Sequence, residues 1–323
     1  MRTGEGPQTL AEIRQIATET REKERAEAAR RKTFGEAAQI YLREYSLPNK
    51  ASGKHDEARI RDYLQPAIGP LLLEDVTTYD VEKIKAEMQK SGRSASTVKQ
   101  VLALIRQIYN YAKKRKWFTG DHPVKEVRMP KINNQRIRFL SEEEEVEFFA
   151  EAAKISTDLH DMCRVSLYSG LRMGEVFALQ KLDIDLNERN ILVRGLNHER
   201  GPKSGYNRVL PLSNVIAPIL EQRCKMAASP DSLLFPKYDG TMRLETGSTF
   251  YTVIRHLGWN DSITDRRLKF VPHVFRHTFA SRLVKAKVPL PVVQRLMGHS
   301  TIQMTLRYVQ VSDDQNREAI DAL

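Results

Sequence analysis

The stretch from residue 272 to 308 constrains this chain more than any other, and it reads PHVFRHTFASRLVKAKVPLPVVQRLMGHSTIQMTLRY. His273 and Arg276 lie three residues apart, so they share a face of a helix. His299 and Tyr308 follow after a glycine turn. Two imidazoles, a guanidinium and a phenol in one short segment indicate chemistry on a phosphate group. We therefore expect the rest of the chain to position these side chains.

Two earlier motifs add further charged groups. The sequence SGLRMGEV places Arg172 just after a glycine, where a helix can begin and direct its N–H donors at an anion. Glu175 follows three residues later. Lys203 lies in GPKSG, which has the wrong spacing for a phosphate loop that binds ATP.

Taken together, these motifs resemble those of the tyrosine recombinases, the phage integrase family. The resemblance is strong over residues 138–308 and weaker over 33–117. The resemblance rests on the motifs SGLRMGEV, PHVFRHTFAS and LMGHSTIQMTLRYV. The positions that match the catalytic set of the family are Arg172, Lys203, His273, Arg276, His299 and Tyr308.

The resemblance implies a site-specific recombinase of the kind found in prophages and genomic islands, which cleaves DNA through a 3′-phosphotyrosyl intermediate. Charge develops on the nonbridging oxygens of the phosphate during such a reaction. Arg172 and Arg276 suit this task because a guanidinium donates two parallel hydrogen bonds and keeps its charge. No metal ion, nucleotide or other cofactor is required.

The remaining roles follow from the same chemistry. A phenol with a pKa near 10 is only about one-thousandth ionised at neutral pH, so Tyr308 needs help to lose its proton, and we assign that help to His273. The resemblance makes Lys203 the acid for the leaving 5′-oxygen. His299 would hydrogen-bond the phosphate, and Glu175 would orient a neighbouring cation or imidazole.

The chain is long enough for about two domains. Its patterns predict a mainly α fold with a small antiparallel β-sheet. We expect an N-terminal helical extension over residues 1–32 and a helical core-binding domain over 33–118. A linker over 119–137 would lead to a mixed α+β DNA breaking and rejoining domain over 138–323, which ends in a tail helix that the resemblance implies docks on a neighbouring subunit.

Three local patterns support this division. The segment SASTVKQVLALIRQIYNYAKKRK has an apolar stripe that should pack inward at Val98, Val101, Ile105, Ile108 and Ala112. At its end, the proposed phosphate contacts are Lys113, Lys114, Arg115 and Lys116. The runs LDIDL, NILVRG and NRVLPL predict the sheet, with Lys203 in the turn between the last two.

The net charge of +11 and the pI near 9.5 suit a protein that grips a polyanion. Both the first 130 residues and the remainder carry more Lys and Arg than Asp and Glu. The partners that the resemblance implies are double-stranded DNA attachment sites, three further subunits in a homotetramer on two duplexes, and DNA-bending accessory proteins. The expected location is the cytoplasm, at the nucleoid.

Other interpretations use fewer of these residues. His273, His277 and His299 could form a metal site, but Arg276 places a cation beside the pair and no HExxH glutamate is present. Residues 290–308 also fit a helix-turn-helix of a DNA-binding regulator without catalysis. A type IB topoisomerase would share the catalytic set, and product topology would distinguish it.

Overall fold

The computed structural model describes residues 9–10, 13–15, 17–18, 31–50, 52–131, 138–194 and 207–309. The chain divides into two compact units, Met1–Asn133 and Asn134–Leu323. Three predictions lie largely or wholly outside the described residues: the N-terminal extension, the Lys203 turn and the tail after Tyr308. Within the described ranges, no helix is both long enough and apolar enough to cross a membrane.

The first unit is helical. Thr33 and Thr77 begin two of its helices with capping boxes, and the Ser94 side chain caps the longest helix. Its helices are α1 (Phe34–Tyr41), α2 (Leu47–Asn49), α3 (Gly53–Arg59), α4 (Gln65–Ile68), α5 (Thr78–Lys90) and α6 (Ala95–Lys114), with π-helical turns at Leu42–Ser46 and Ile60–Leu64.

The core of this unit forms around α6. The predicted inward stripe is confirmed, because all five of its residues are buried: Val98, Val101, Ile105, Ile108 and Ala112. They join one continuous apolar cluster with residues from α1 and α5. The burial of this stripe fixes which face of α6 is left for solvent and partners.

The second unit combines helices with a small sheet, so the predicted fold class is confirmed. The helices are α7 (Glu142–Ile155), α8 (Thr157–Ser169), α9 (Met173–Ala178), α10 (Ala217–Met226), α11 (Gly247–His256), α12 (His273–Lys285), α13 (Leu290–Met297) and α14 (Gln303–Leu306). The strands are β1 (Ile184–Asp185), β2 (Asn190–Val193) and β3 (Arg208–Pro211).

The sheet is antiparallel, with β2 between β1 and β3. Ile191 of β2 lies opposite Ile184 and Leu210. Ile191 and Leu210 are buried, whereas Val209 of β3 is exposed, so the sheet has one apolar face and one open face. The register also fixes the position of Arg208, the first residue of β3.

Helix α12 is held by contacts on several sides. It packs against α8, and Phe275 lies in an aromatic cluster with Phe148. The backbone N–H of Leu140 donates to Thr278 Oγ1 at 2.9 Å. A capping box formed by Ser141 and Glu144 begins α7 in the same region. Arg276, which follows Phe275 directly, is therefore fixed in the interior.

Candidate active site

Arg172 stands where α8 ends and α9 begins. Gly170 closes α8 with φ of 69°, a left-handed conformation that favours glycine. Arg172 is then the residue that precedes α9, and its backbone N–H donates to Glu175 Oε2 at 2.9 Å. Its Nη1 donates to Glu175 Oε1 at 3.0 Å. Glu175 therefore holds both the backbone and the guanidinium of Arg172.

Glu175 also binds a residue that the sequence analysis missed. Arg208, the first residue of β3, donates from Nη1 to Oε1 at 3.0 Å and from Nη2 to Oε2 at 2.7 Å. Burial raises the pKa of the Glu175 carboxyl, but the bonds from Arg208 and Arg172 outweigh it, and the net pKa is lowered. Glu175 is therefore an anion that holds two guanidinium groups.

Arg276 is the most enclosed cation of the site, with 1% of its surface exposed. Its Nη1 donates to the backbone oxygen of Gly170 at 2.5 Å and its Nη2 to that of Met297. The nearest carboxylate oxygen recorded for it belongs to Glu175, at 3.9 Å. Burial and the nearby Arg172 lower the pKa of Arg276 to about 9, so it remains charged at neutral pH.

Tyr308 points into the protein. Its side chain is 4% exposed, and its hydroxyl lies 2.7 Å from Nδ1 of His277, which is 6% exposed. Burial raises the pKa of the phenol, although Arg276, Arg307 and Arg172 act in the opposite direction. The phenol is therefore protonated at neutral pH and close to the cations of the site.

His299 lies beside this tyrosine. Its ring is parallel to that of Tyr308 within 4°, with 6.2 Å between the centroids, and its Nδ1 lies 2.9 Å from Thr305 Oγ1. Burial, followed by repulsion from Arg276 and Arg172, lowers the pKa of His299 to about 3. The imidazole is neutral at physiological pH and can donate a hydrogen bond without adding a charge.

The turn before His299 needs a glycine. Gly298 ends α13 with φ of 60°, and an added Cβ would lie 2.9 Å from Cζ of Arg208. The absence of a side chain at Gly298 lets the Arg208 guanidinium pass beside the turn. The close approach of the Arg208 side chain to Gly298 links β3 to the segment that carries His299.

His273 is the imidazole expected to assist Tyr308. It is the first residue of α12 and is exposed, with its ring 4.6 Å from that of His277 at an angle of 87°. The imidazole that contacts the Tyr308 hydroxyl belongs to His277. In the sequence, His277 suggested only a possible metal ligand, and its position next to Arg276 was the available signal of another role.

The structure thus brings most of the predicted set together. The clustered residues are Arg172, Glu175, His273, Arg276, His299 and Tyr308, to which it adds Arg208 and His277. Lys203 lies within 195–206, outside the described residues. One carboxylate is shared among three guanidinium groups, so the cluster carries excess positive charge and suits an anion.

The proposed phosphate contacts of the first unit lie at the end of α6. Lys114, Arg115 and Lys116 are exposed, and Lys113 is partly buried. Arg115 donates to Glu44 Oε2 at 2.6 Å and lies over the Tyr111 ring. The Arg115 guanidinium is therefore fixed in place by protein groups, while Lys114 and Lys116 are exposed to solvent.

The sequence model of the phage integrase family matches residues 138–315, more than half of the chain. The chain belongs to this family. It is a tyrosine recombinase, a site-specific enzyme that cleaves and rejoins DNA. The family match does not favour the helix-turn-helix regulator or the topoisomerase.

Individual relatives agree with this placement. The tyrosine recombinase XerD of Proteus mirabilis is 30% identical over 250 residues, which cover 74% of this chain and 76% of the relative. The tyrosine recombinase XerC of Bacillus licheniformis is 28% identical over 257 residues, covering 76% and 80%. The similarity therefore extends beyond the catalytic motifs.

Solved structures show the same fold. The Tn1549 transposon integrase in complex with a circular intermediate DNA matches with a TM-score of 0.73 at 21% identity, covering 90% of this chain and 99% of that one. A lambda integrase dimer bound to a COC′ core site matches with a TM-score of 0.70 at 16% identity, covering 88% and 79%.

Proposed function

We propose that this recombinase uses Tyr308 to cleave a DNA strand and forms a 3′-phosphotyrosyl intermediate, through which a mobile element is integrated or excised. The observation that supports the proposal is the burial of the Tyr308 phenol beside Arg276 and Arg172, whose charges act on it. A nucleophile placed among fixed cations meets the phosphate where negative charge develops.

Arg172 and Arg276 are the proposed phosphate ligands. Arg276 has backbone oxygens as partners and no carboxylate closer than 3.9 Å in the described residues, so its charge remains available to an anion. Arg172 is held by Glu175 but stays partly exposed. Removing one such preorganised donor typically slows a reaction by about 10²- to 10³-fold.

The neutral His299 is the proposed third ligand. If the Thr305 hydroxyl donates to Nδ1, the hydrogen of the ring lies on Nε2, from which it can be donated to a nonbridging oxygen. Lys203 remains the proposed acid for the 5′-oxygen. His273, at the exposed start of α12, remains a candidate for assisting Tyr308 or for contacting the phosphate.

The proposed partner is double-stranded DNA carrying an attachment site, gripped by both basic units. Lys113, Lys114, Arg115 and Lys116 would meet its backbone. We propose a homotetramer on two duplexes, aided by DNA-bending proteins, because a lambda integrase tetramer bound to a Holliday junction shares this fold with a TM-score of 0.68. An enzyme with this substrate would act at the bacterial nucleoid, in the cytoplasm.

A suicide substrate tests the nucleophile. A nicked duplex carrying the core site, recovered from DNA that flanks the gene, should trap a covalent protein–DNA species whose linked peptide contains Tyr308. Tyr308→Phe should abolish that species. Tyr251→Phe is the matched control, because Tyr251 is exposed on α11 of the same unit. A covalent band that persists in Tyr308→Phe would refute the assignment.

A further inference from the structure

His277 has a direct contact with the proposed nucleophile. It follows Arg276 on α12, both it and Tyr308 are buried, and its Nδ1 lies 2.7 Å from the phenolic oxygen. If the His277 imidazole is neutral with its ring hydrogen on Nε2, the phenolic hydroxyl donates to the lone pair of Nδ1. The distance is one at which a proton can transfer.

We propose that His277 accepts the proton of Tyr308 during strand cleavage and returns it during rejoining. This inference rests on the proposed role of Tyr308. The phenolic O–H bond breaks, the proton moves to His277 Nδ1, and the phenolate forms a bond to phosphorus. The bond between phosphorus and the 5′-oxygen breaks, and that oxygen takes a proton from the general acid. Rejoining reverses each transfer.

Two other imidazoles lie nearby, but their geometry is less suitable. His273 is exposed, and its ring meets that of His277 in a T-shaped contact, whereas His277 itself is buried with the phenol. The His299 ring is parallel to that of Tyr308, and its Nδ1 is already bonded to Thr305. Lone pairs of an imidazole lie in its ring plane, which in His299 runs parallel to the phenol ring.

The surrounding charges couple this transfer to the arrival of DNA. In the part of the chain that the structure describes, the charged and titratable groups near the pair include Arg276 and His273 on α12, and Arg172, His299 and Arg307 from the neighbouring segments. An imidazolium next to these guanidinium groups is unfavourable while no anion is bound. The incoming phosphate offsets that repulsion, so the nucleophile becomes activated only when its target is present.

An experiment with a more acidic phenol distinguishes a proton acceptor from a residue that merely positions Tyr308. His277→Asn keeps an acceptor oxygen near the position of Nδ1 but cannot take up a proton. We expect it to slow single-turnover cleavage of the suicide substrate by roughly 10²- to 10⁴-fold. With a trifluorotyrosine at position 308, whose phenol ionises at neutral pH, the same substitution should slow cleavage only a few fold.

Parallel variants identify the acceptor. His273→Asn, tested with both phenols, should show no such rescue. His256→Asn is a matched surface control, because His256 ends α11 and pairs with Glu151 away from the site, and it should cleave at the normal rate. If His277→Asn fails to fold or to bind the duplex, His277→Gln takes its place in the same comparison.

The outcomes separate this inference from the proposed function. An equal deficit of His277→Asn with both phenols would reduce His277 to a positioning residue, and rescue of His273→Asn alone would make His273 the acceptor. Either result overturns the inference while Tyr308 remains the nucleophile. Covalent product from Tyr308→Phe would instead remove the proposed nucleophile, and the inference with it.

Discussion

Replacing Glu175 by Gln tests how the cations of the site are held. The carboxylate accepts four hydrogen bonds of 2.7 to 3.0 Å, two from Arg172 and two from Arg208. A glutamine keeps one acceptor oxygen and presents an NH₂ group to donors. About two of the four bonds are lost, each worth about 1.5 to 3 kcal/mol when a charge is involved. We expect the free energy of unfolding of the second unit to fall by about 3 kcal/mol, the lower end of the range for a broken buried ion pair.

The pH dependence has a definite sign. The pKa of Glu175 is lowered in the folded protein from its ordinary value of 4.5. Its charge therefore contributes stability that is fully present above about pH 4.5 and is lost as the pH falls through the folded-state pKa. The difference in stability between wild type and Glu175→Gln should be largest near neutral pH and should shrink in acid.

Urea unfolding measures this difference. Trp259 lies in the second unit and Trp117 in the first, so a Trp117→Phe background makes the fluorescence report the second unit. Glu221→Gln is the matched control, because Glu221 pairs with Lys225 on the surface and its loss should change stability little. A loss below about 1 kcal/mol for Glu175→Gln, or a loss of equal size at pH 4 and pH 7, would refute the reasoning.

Further predictions concern other parts of the machinery. The Lys203→Ala enzyme should cleave normal DNA roughly 10²- to 10⁴-fold more slowly than wild type but cleave a bridging 5′-sulfur substrate almost normally, whereas Arg172→Ala should be slow on both. Equal deficits of Lys203→Ala on the two substrates would indicate a binding role. If about eight phosphates are neutralised, log K for DNA binding should fall with log salt with a slope near −7, and a nearly flat dependence would contradict a grip by both units. In calorimetric and cleavage assays, Gly170→Ala should reduce stability and cleavage more than Gly92→Ala. Both glycines have positive φ, but only at Gly170 would an added Cβ lie 2.6 Å from Phe279 Cε1, so equal losses would argue against a steric cause.

The sequence predicted the elements whose signals are local. The apolar stripe of α6 and the three short strands both depend on periodicity over a few neighbouring residues. The motifs likewise indicated Arg172 and Arg276, which the structure places close enough to interact. In each case the residue type and its near neighbours were enough.

The contacts missed in the sequence are those made between distant segments. Arg208 meets Glu175 only because β3 begins beside the turn that follows α13, and nothing in NRVLPL distinguishes it from an ordinary strand residue. His277 contacts Tyr308 across 31 positions of sequence. Spacing on α12 pairs His273 with Arg276, but the packing of the helix decides which imidazole faces the tyrosine.

Arg276 also connects the ends of two helices. Its two Nη groups bind the oxygen of Gly170, which terminates α8, and that of Met297, the last residue of α13. These are carbonyls at the negative ends of helix dipoles, which cations stabilise. A lysine carries the same charge but has no planar fork with which to bridge both helix ends. Arg276, which is proposed to bind the phosphate, thus also connects two helix ends within the fold. Its positive charge is therefore in place before any DNA arrives.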